Sequence, residues 1–238
     1  TAVYFREFLR QYMMMDAPKK ADYPSWNKRQ YVIDSIAFAT DPLCGWCKKH
    51  TKKDGSFYNV YTDGLKIFTT IDSRMQRYAE ESVYGHVAQF LQPAFNAENR
   101  KKPNAPFTSE LTPEQVRQII GRSIRQSERY RNMREAGASP EEIDKAFHTP
   151  TDMTVFTYHG DIDTVMTPLD SIRYYKSFLR AGFMSMDPHT GQVKAYVGGI
   201  DFEHFQYDMV MGGRRQVGST IKPFLYSLAM ENGFSPCD

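Results

Sequence analysis

Residues 182–199 read GFMSMDPHTGQVKAYVGG. Two largely apolar runs flank a polar centre, in which Pro188 fixes its own φ angle and Gly191 can adopt a left-handed conformation. The second run ends at Gly198 and Gly199. This stretch therefore predicts a β-hairpin of two antiparallel strands joined by a tight turn.

A serine and a lysine follow the predicted hairpin at short spacing. Residues 215–223 read RQVGSTIKP, so Ser219 and Lys222 are three residues apart and share one face of a helix. A serine hydroxyl becomes a good nucleophile when a neighbouring base removes its proton. A lysine can act as that base where burial or nearby positive charge lowers its pKa. Ser219 and Lys222 are therefore candidates for S-x-x-K acyl-transfer chemistry.

The surroundings of Ser219 predict the start of a buried helix. Residues 224–230 are strongly apolar, Pro223 falls where the first helical turn tolerates proline, and Gly233 stands where a helix stop is expected. Ser219 would then lie at the positive end of the helix dipole, which favours a developing anion. The alternative is that Ser219 serves only as a helix N-cap.

The order of these motifs resembles the transpeptidase domain of penicillin-binding proteins. The resemblance rests on the D-P-x-T-G turn and G-G of the hairpin, followed by R-Q-x-G-S-x-x-K-P. Residues 61–72 and 167–172 resemble segments of the bifunctional class A members, and residues 2–10 resemble the end of their glycosyltransferase domain. Val217 departs from the pattern, since the family usually has proline there.

The resemblance implies an α+β chain with a partial penicillin-binding transpeptidase fold, in which flanking helices cover a sheet and a helical linker region precedes it. Residues 1–55 would hold the end of the glycosyltransferase domain and the linker. Residues 56–238 would form the N-terminal part of the transpeptidase domain, with a helical insertion around 111–148. We expect the family's later S-x-N and K-[ST]-G motifs, its glycosyltransferase glutamate and its N-terminal membrane anchor to lie outside this chain, so the isolated chain would be inactive.

The function implied by the resemblance is peptidoglycan cross-linking. Ser219 would attack the penultimate D-Ala carbonyl of a stem peptide, with Lys222 as its base, and a β-lactam would acylate Ser219 in the same way. The partners would be stem peptides, β-lactams and other cell-wall synthesis proteins, on the extracytoplasmic (periplasmic) face of the bacterial inner membrane. No metal or organic cofactor is expected.

Composition is consistent with a soluble piece of such a protein. The chain has 238 residues, is 41% hydrophobic and carries a formal net charge of +2, which allows one or two domains with a core. The basic residues show no interleaving with aromatics of the kind nucleic-acid binders have. No run of about eighteen apolar residues is present, so the sequence predicts no transmembrane helix.

Two other classes of function remain open from the sequence. The first is a D,D-carboxypeptidase or β-lactamase-like serine hydrolase, which shares S-x-x-K chemistry. The second is a non-catalytic scaffold or docking piece, for which the arginine-rich stretch 117–134 is the candidate surface. The simpler expectation is that these arginines form a solvent-exposed helix face and pair with Glu128 and Glu135.

Cys44 and Cys47 form a C-x-x-C motif, and His50 follows. A thioredoxin-like redox pair requires a preceding strand, a c-type haem site requires histidine directly after the second cysteine, and a zinc site requires four ligands. Each requirement is unmet in the sequence, and the role of the pair stays open. Cys237 lies near the end of the chain and is uninformative.

Local signals predict several further elements. Residues 58–71 should form strands around a Thr62–Gly64 turn, and residues 26–36 should form a helix. Asp72 or Ser73 should cap a helix with an apolar stripe between 75 and 91 that ends near Pro93. Capping boxes at Thr112 and Ser139 predict helices over 113–135 and from 140 onward, and Thr167 precedes a helix over 171–180.

Overall fold

The computed structural model describes residues 2–235, of which about half are helical. The helices of the N-terminal half are α1 (Val3–Met13), α2 (Lys28–Thr40), α3 (Trp46–Lys49), α4 (Ser73–His86), α5 (Gln92–Asn99) and α6 (Pro113–Gln126). They are followed by α7 (Glu128–Glu135), α8 (Pro140–His148), α9 (Pro168–Lys176) and α10 (Lys222–Glu231). Short 3-10 turns cover Lys20–Asp22, Ser25–Asn27 and Gly218–Ile221.

The strands form two separate antiparallel pairs. Strand β1 (Thr151–Val155) pairs with β2 (Ile162–Met166), and β3 (Phe183–Met186) pairs with β4 (Val193–Val197). The predicted α+β class is therefore confirmed. Within residues 2–235, however, the strands make two small two-stranded sheets and not one larger sheet.

The hairpin of β3 and β4 forms where the sequence predicts it. The Asp187 carboxylate accepts hydrogen bonds from the backbone N–H groups of His189 and Thr190, both at 2.9 Å. The backbone closes the turn from Asp187 N to Gln192 O at 2.9 Å, and Gly191 takes the left-handed φ of 70°. These bonds hold the pKa of the Asp187 carboxyl below its ordinary value.

The main core lies between α4, the segment after it, and the end of the second hairpin. Its buried side chains are Val87, Phe156, Ile200 and Phe205, with Ala79, Ala195 and Val197 alongside. The rings of Tyr158, Phe178 and Phe205 surround Phe156, edge to face at about 5 Å. Burial of this cluster is the main apolar contribution that holds α4, α9 and the hairpin together.

The face that α4 buries differs from the predicted stripe. Ala79 and Val87 are buried as expected, but Met75, Tyr78, Phe90 and Leu91 are exposed. Two glutamines, Gln76 and Gln92, are buried instead, at 1% and 4% exposure. Both side chains bond to backbone groups of distant segments, which explains how polar residues can occupy the buried face.

The helix that begins at Ser73 does not end at Pro93. Asp72 caps its start, because Oδ1 accepts from Arg74 N at 2.9 Å and from Met75 N at 3.0 Å. One wide π-helical stretch, Val87–Leu91, follows α4, and α5 then continues to Asn99 with proline in its first turn. Proline removes a hydrogen-bond donor and crowds the preceding turn, and the wide π turn accommodates both effects. The prediction of an end at Pro93 is therefore wrong.

The predicted strands at 58–71 are absent from the structure. The Asp63 carboxylate accepts from Asn59 N at 2.6 Å and from Lys52 Nζ at 2.9 Å, and these bonds close a compact turn instead of a two-stranded ladder. The chain beyond the turn runs on to α4 and bonds to the second hairpin through Thr70 Oγ1 and Asp72 N. Local side-chain bonds to the backbone thus replace the expected hairpin.

The arginine-rich stretch forms two helices, where the sequence predicts one. Ser127 has an extended backbone, ends α6 and caps α7 by accepting from Tyr130 N at 3.3 Å. Among the residues that the structure describes, Arg117 pairs with Glu114, and no arginine of α6 or α7 pairs with Glu128 or Glu135. The expected pairing with those two glutamates is therefore wrong. The capping boxes at Thr112 and Ser139 are both present.

Candidate active site

The segment that leads to Ser219 starts from a close contact between α1 and the Gly198–Gly199 end of the second hairpin. The Tyr4 ring of α1 lies on Gly198 and Gly199, and its hydroxyl donates to the carbonyls of Asp201 at 2.8 Å and Phe205 at 2.6 Å. A Cβ atom at position 199 would lie 2.2 Å from Tyr4 Oη. The G-G end of the hairpin is therefore required by the approach of the tyrosine.

Asp208 organises the next stretch of the segment. Its Oδ2 accepts from Tyr196 Oη at 2.5 Å, and its Oδ1 accepts from Val210 N at 2.8 Å. Met209 N bonds back to Gly198 O at 2.7 Å. Residues 208–210 are thereby fixed to β4 and to the end of the hairpin.

Ser219 and Lys222 then lie on consecutive turns at the start of the last helix. Ser219 belongs to the 3-10 turn Gly218–Ile221, and Lys222 is the first residue of α10. Gly218 has a left-handed φ of 52°, which reverses the chain immediately before the serine. Thr220 N and Oγ1 both bond to Val217 O, at 3.1 and 2.5 Å, which closes this turn.

The Ser219 side chain is not a helix cap. No cap hydrogen bond is made by the residue that precedes either the 3-10 turn or α10. Within residues 2–235, neither Ser219 Oγ nor Lys222 Nζ makes a hydrogen bond, and both residues are exposed. The structure thus places the two residues one turn apart with both functional groups free, and no hydrogen bond yet joins them.

The helix that carries Lys222 is exposed, so the prediction of a buried helix is wrong for the described residues. Phe224 is 73% exposed, and Leu225, Tyr226, Leu228 and Met230 are each more than half exposed. These side chains follow one another around the whole helix, and the described segments leave them uncovered. The predicted stop is confirmed: Gly233 has φ 92°, and Phe234 N bonds to Ala229 O at 3.1 Å, as in a Schellman motif.

The backbone near Ser219 offers one further chemical group. Among the described residues, Ser219 N has no backbone acceptor, so this N–H can donate to an oxygen bound next to the serine. Exposed Arg214 and Arg215 precede it in the chain. A nucleophile, a basic side chain and a free N–H within one turn are the components that acyl transfer uses.

Across residues 2–235, no three His, Cys, Asp or Glu side chains are arranged to hold a metal ion. In the same residues, every helix is too short or too polar to cross a bilayer.

Comparison with known proteins gives a family match in the middle of the chain. A family model described as the penicillin-binding protein middle domain matches residues 102–179. The match covers α6 to α9 and the first hairpin, and it includes the block predicted as a helical insertion.

Individual relatives extend the similarity. Penicillin-binding protein 1A of Rickettsia bellii is 28% identical over 197 residues, which cover 76% of this chain and 24% of that protein. Penicillin-binding protein 1A of Vibrio cholerae is 24% identical over 211 residues, with 74% and 25% covered. This chain is a distant relative of penicillin-binding protein 1A.

A shorter match of higher identity is made with penicillin-binding protein 2D of Bacillus subtilis, which is 45% identical over 60 residues, or 25% of this chain and 9% of that protein. The chain spans about a quarter of the length of the penicillin-binding protein 1A relatives. No solved structure matches the chain.

The sequence did not reveal the buried glutamines and tyrosines that hold this region together. Gln76, Gln92 and Tyr4 act through backbone groups more than 80 residues away. A glutamine within an amphipathic stripe was the one available signal, and it is a weak one, since glutamine is usually exposed.

Proposed function

We propose that this chain is part of a peptidoglycan D,D-transpeptidase in which Ser219 forms the acyl-enzyme. The observation that carries the proposal is the placement of Ser219 and Lys222 one turn apart at the start of α10, in a chain distantly related to penicillin-binding protein 1A. The spacing suits proton transfer between the two side chains.

The reaction follows from the groups on this turn. Ser219 Oγ attacks the penultimate D-Ala carbonyl of a stem peptide as Lys222 Nζ, in its neutral form, takes the hydroxyl proton. The Ser219 N–H contributes to stabilising the oxyanion of the tetrahedral intermediate. Collapse of that intermediate breaks the peptide bond, the terminal D-Ala leaves with the proton, and an amine of a second stem peptide then displaces Ser219 from the ester.

Lys222 is exposed here. A general base must be neutral, and burial beside positive charge favours the neutral form of a lysine side chain. Covering of the apolar residues of α10 is therefore part of the proposal. It implies that the chain reacts with its substrate only slowly in the state described here.

The location and partners belong to the same proposal. Stem peptides lie outside the cytoplasmic membrane, so the chain would act on the extracytoplasmic side. β-Lactams, which mimic the D-Ala-D-Ala end, would acylate Ser219.

The test is intact-mass spectrometry after incubation with a penicillin. We expect an adduct of one drug mass on a longer protein that contains this chain, and loss of the adduct in Ser219→Ala. Ser227→Ala is the matched control, because Ser227 lies on the same helix and its hydroxyl, among the residues described, bonds only to Pro223 O, at 2.8 Å. Equal labelling of Ser219→Ala and the parent would refute Ser219 as the nucleophile.

A scaffold role is the second candidate, because of the charge on α6 and α7. Arg122, Arg125, Arg129, Arg131 and Arg134 are exposed, and none has an ion pair among the described residues. The test is to reverse the charge of these arginines. Loss of assembly with an acidic partner, together with unchanged penicillin labelling, would support that role.

A further inference from the structure

The proposed function makes no use of two buried thiols in the N-terminal part of the chain. Cys44 and Cys47 are both 0% exposed, and both are free cysteines. Cys44 lies on the connection from α2 to α3 and Cys47 lies in α3, and Met13 at the end of α1, at 4% exposure, is another buried side chain of this part of the chain. The α2 helix itself contributes no buried residue. The thiol pair therefore supplies two of the three buried side chains of residues 10–50.

The backbone at the pair makes a sharp reversal. Trp46 N bonds to Leu43 O at 3.1 Å, and Gly45 takes a left-handed φ of 64°. A side chain at position 45 would not fit, since a Cβ there would lie 2.2 Å from Phe38 Cε2 and 2.8 Å from Met15 O. The two cysteines thus flank a reversal that admits only glycine and leads directly into α3, where Cys47 is the buried residue.

The spacing of the pair suits a covalent link. Cys44 and Cys47 are three residues apart on either side of one tight turn, and both side chains are fully buried. A disulfide needs Cβ atoms about 3.5–4.5 Å apart. Formation of the bond therefore requires the turn at Gly45 to bring the two Cβ atoms to that distance.

The surroundings of the thiols argue against a reactive or a metal-binding role. Burial raises the pKa of both thiols, so neither is held as a reactive thiolate. No third His, Cys, Asp or Glu of residues 2–235 joins them in a metal-binding group. Cys44 Sγ lies 3.6 Å from the Met15 sulfur, a weak acceptor, and Cys47 Sγ donates to no other described residue. Oxidation would remove both buried S–H donors.

We propose that Cys44 and Cys47 form a structural disulfide that fixes the junction of α1, α2 and α3. The junction is otherwise tied by a few polar bonds, among them Gly45 N to Tyr12 O at 2.8 Å and Tyr12 Oη to Asp41 Oδ2 at 2.7 Å. Helix α3 has only four residues and cannot be stable alone. A cross-link across its first turn holds it in place.

The oxidant is a disulfide compound, either a small-molecule disulfide or an oxidised dithiol protein. One cysteine thiolate attacks the oxidant and forms a mixed disulfide, and the second cysteine thiolate displaces the remaining thiol. The pair loses two protons and two electrons, and the oxidant becomes two thiols. Because both cysteines are buried in the folded chain, the exchange takes place during folding. The presence of such oxidants in the cell rests on the extracytoplasmic location of the proposed function.

The test counts thiols in the full chain carrying Cys237→Ser, so that only the pair remains. The protein is refolded in a mixture of reduced and oxidised glutathione, quenched with acid, denatured and alkylated, and its intact mass is measured. We expect no alkyl group and a mass two hydrogens below that of the reduced chain. In the same background, Cys44→Ser and Cys47→Ser each expose one thiol and carry one alkyl group or one glutathione.

Two alkyl groups on the Cys237→Ser chain, or one bound glutathione, would overturn the proposal, since either shows that the disulfide between Cys44 and Cys47 does not form. The melting temperature supplies the second readout. The oxidised chain should melt at a higher temperature than the same chain after reduction, and equal values would show that the bond fixes nothing. Neither measurement uses penicillin or peptidoglycan, so failure here leaves the assignment of Ser219 untouched, and failure of Ser219 labelling leaves this result untouched.

Discussion

Gln76 shows at the scale of one residue how a polar side chain can hold a helix against a strand. Its Oε1 accepts from Tyr196 N at 2.7 Å and its Nε2 donates to Tyr196 O at 2.8 Å, so its amide completes the hydrogen bonding of β4. Gln92 makes the same kind of double contact, with Ser177 O and Leu179 N, both at 2.9 Å. The two glutamines thus fix the helical run at both its start and its continuation.

Truncation of Gln76 should be costly because it leaves buried backbone groups without partners. We expect Gln76→Ala to lower the free energy of unfolding by about 2–3 kcal/mol. Gln89→Ala, at an exposed position in the same helical run, should change it by less than about 0.5 kcal/mol. Urea denaturation of both variants measures the difference. Similar losses in the two would show that the bonds to Tyr196 carry no special weight.

His204 gives a pH dependence at the residue scale. Its Nδ1 lies 2.8 Å from Asp201 Oδ1 and its Nε2 lies 3.2 Å from Asp161 Oδ2, so it joins the loop after β4 to the turn between β1 and β2. Burial lowers the pKa of His204, but the bond to Asp201 and the charges of Asp161, Asp201 and Glu203 together outweigh burial and raise it above 6.5.

A raised pKa in the folded state means that protonation of His204 stabilises the fold. The contribution should be complete below about pH 6.5 and should disappear as the pH rises through the raised value. Thermal melting of the parent and of His204→Gln across this range tests the sign, with His189→Gln, at an exposed turn position, as control. A decline of equal size in His204→Gln would assign the effect to other groups.

At the scale of elements, helix α8 depends on its capping box. Ser139 Oγ accepts from Glu142 N at 3.2 Å, and Glu142 Oε2 accepts from Ser139 N at 2.8 Å. The helix carries Ile143 and Phe147, which are 5% and 2% exposed, so fraying at its start disturbs buried packing. The box satisfies two backbone donors that the helix itself cannot.

Ser139→Ala should lower the free energy of unfolding by about 1 kcal/mol, because one capping bond is lost. Ser139→Asp should retain most of the stability, since aspartate also caps and its charge suits the helix start. Chemical denaturation of the two variants distinguishes the effect of the cap on the free energy of unfolding from the effect of side-chain size. An equal loss in both would argue that packing around Ser139 matters more than the cap.

At the scale of the whole molecule, α1 is fixed to β4 and to the segment after it by Tyr4. Its hydroxyl bonds to two carbonyls about 200 residues away in sequence, at Asp201 and Phe205. Burial and, next, the charge of Asp201 raise the pKa of this hydroxyl, and its single proton is shared between the two carbonyls. The N-terminal part of the chain is therefore attached to the segment that leads to Ser219.

Gly199→Ala tests this attachment. The added methyl group would overlap Tyr4 Oη, so the melting temperature should fall markedly. Gly85→Ala is the matched control: it is helical, nothing lies within 4 Å of its Cβ position, and alanine favours a helix by about 0.5–1 kcal/mol. A fall of the same size in Gly85→Ala, or no fall in Gly199→Ala, would contradict a tight contact at Tyr4.

The sequence by itself determined the features that depend on neighbours a few residues apart. The Asp187 turn, the boxes at Thr112 and Ser139, the stop at Gly233 and the pairing of β3 with β4 all form as predicted. The turn, the boxes and the stop are each made by a side chain or a glycine acting on backbone within about six residues, and the Asp187 turn brings β3 and β4 together, so the local sequence contains these interactions. The spacing of Ser219 and Lys222 is local in the same sense, and their chemical role remains a proposal.

Only the tertiary structure decided which surfaces meet. It buried Gln76 and Gln92 in place of Met75 and Phe90, carried the helix past Pro93, placed Tyr4 on Gly199 and left α10 exposed. The contacts of Gln76, Gln92 and Tyr4 are made with partners about 80 to 200 residues away, and the periodicity of apolar residues does not identify such partners. Burial is a property of two surfaces together, so a single stretch of sequence could not fix it.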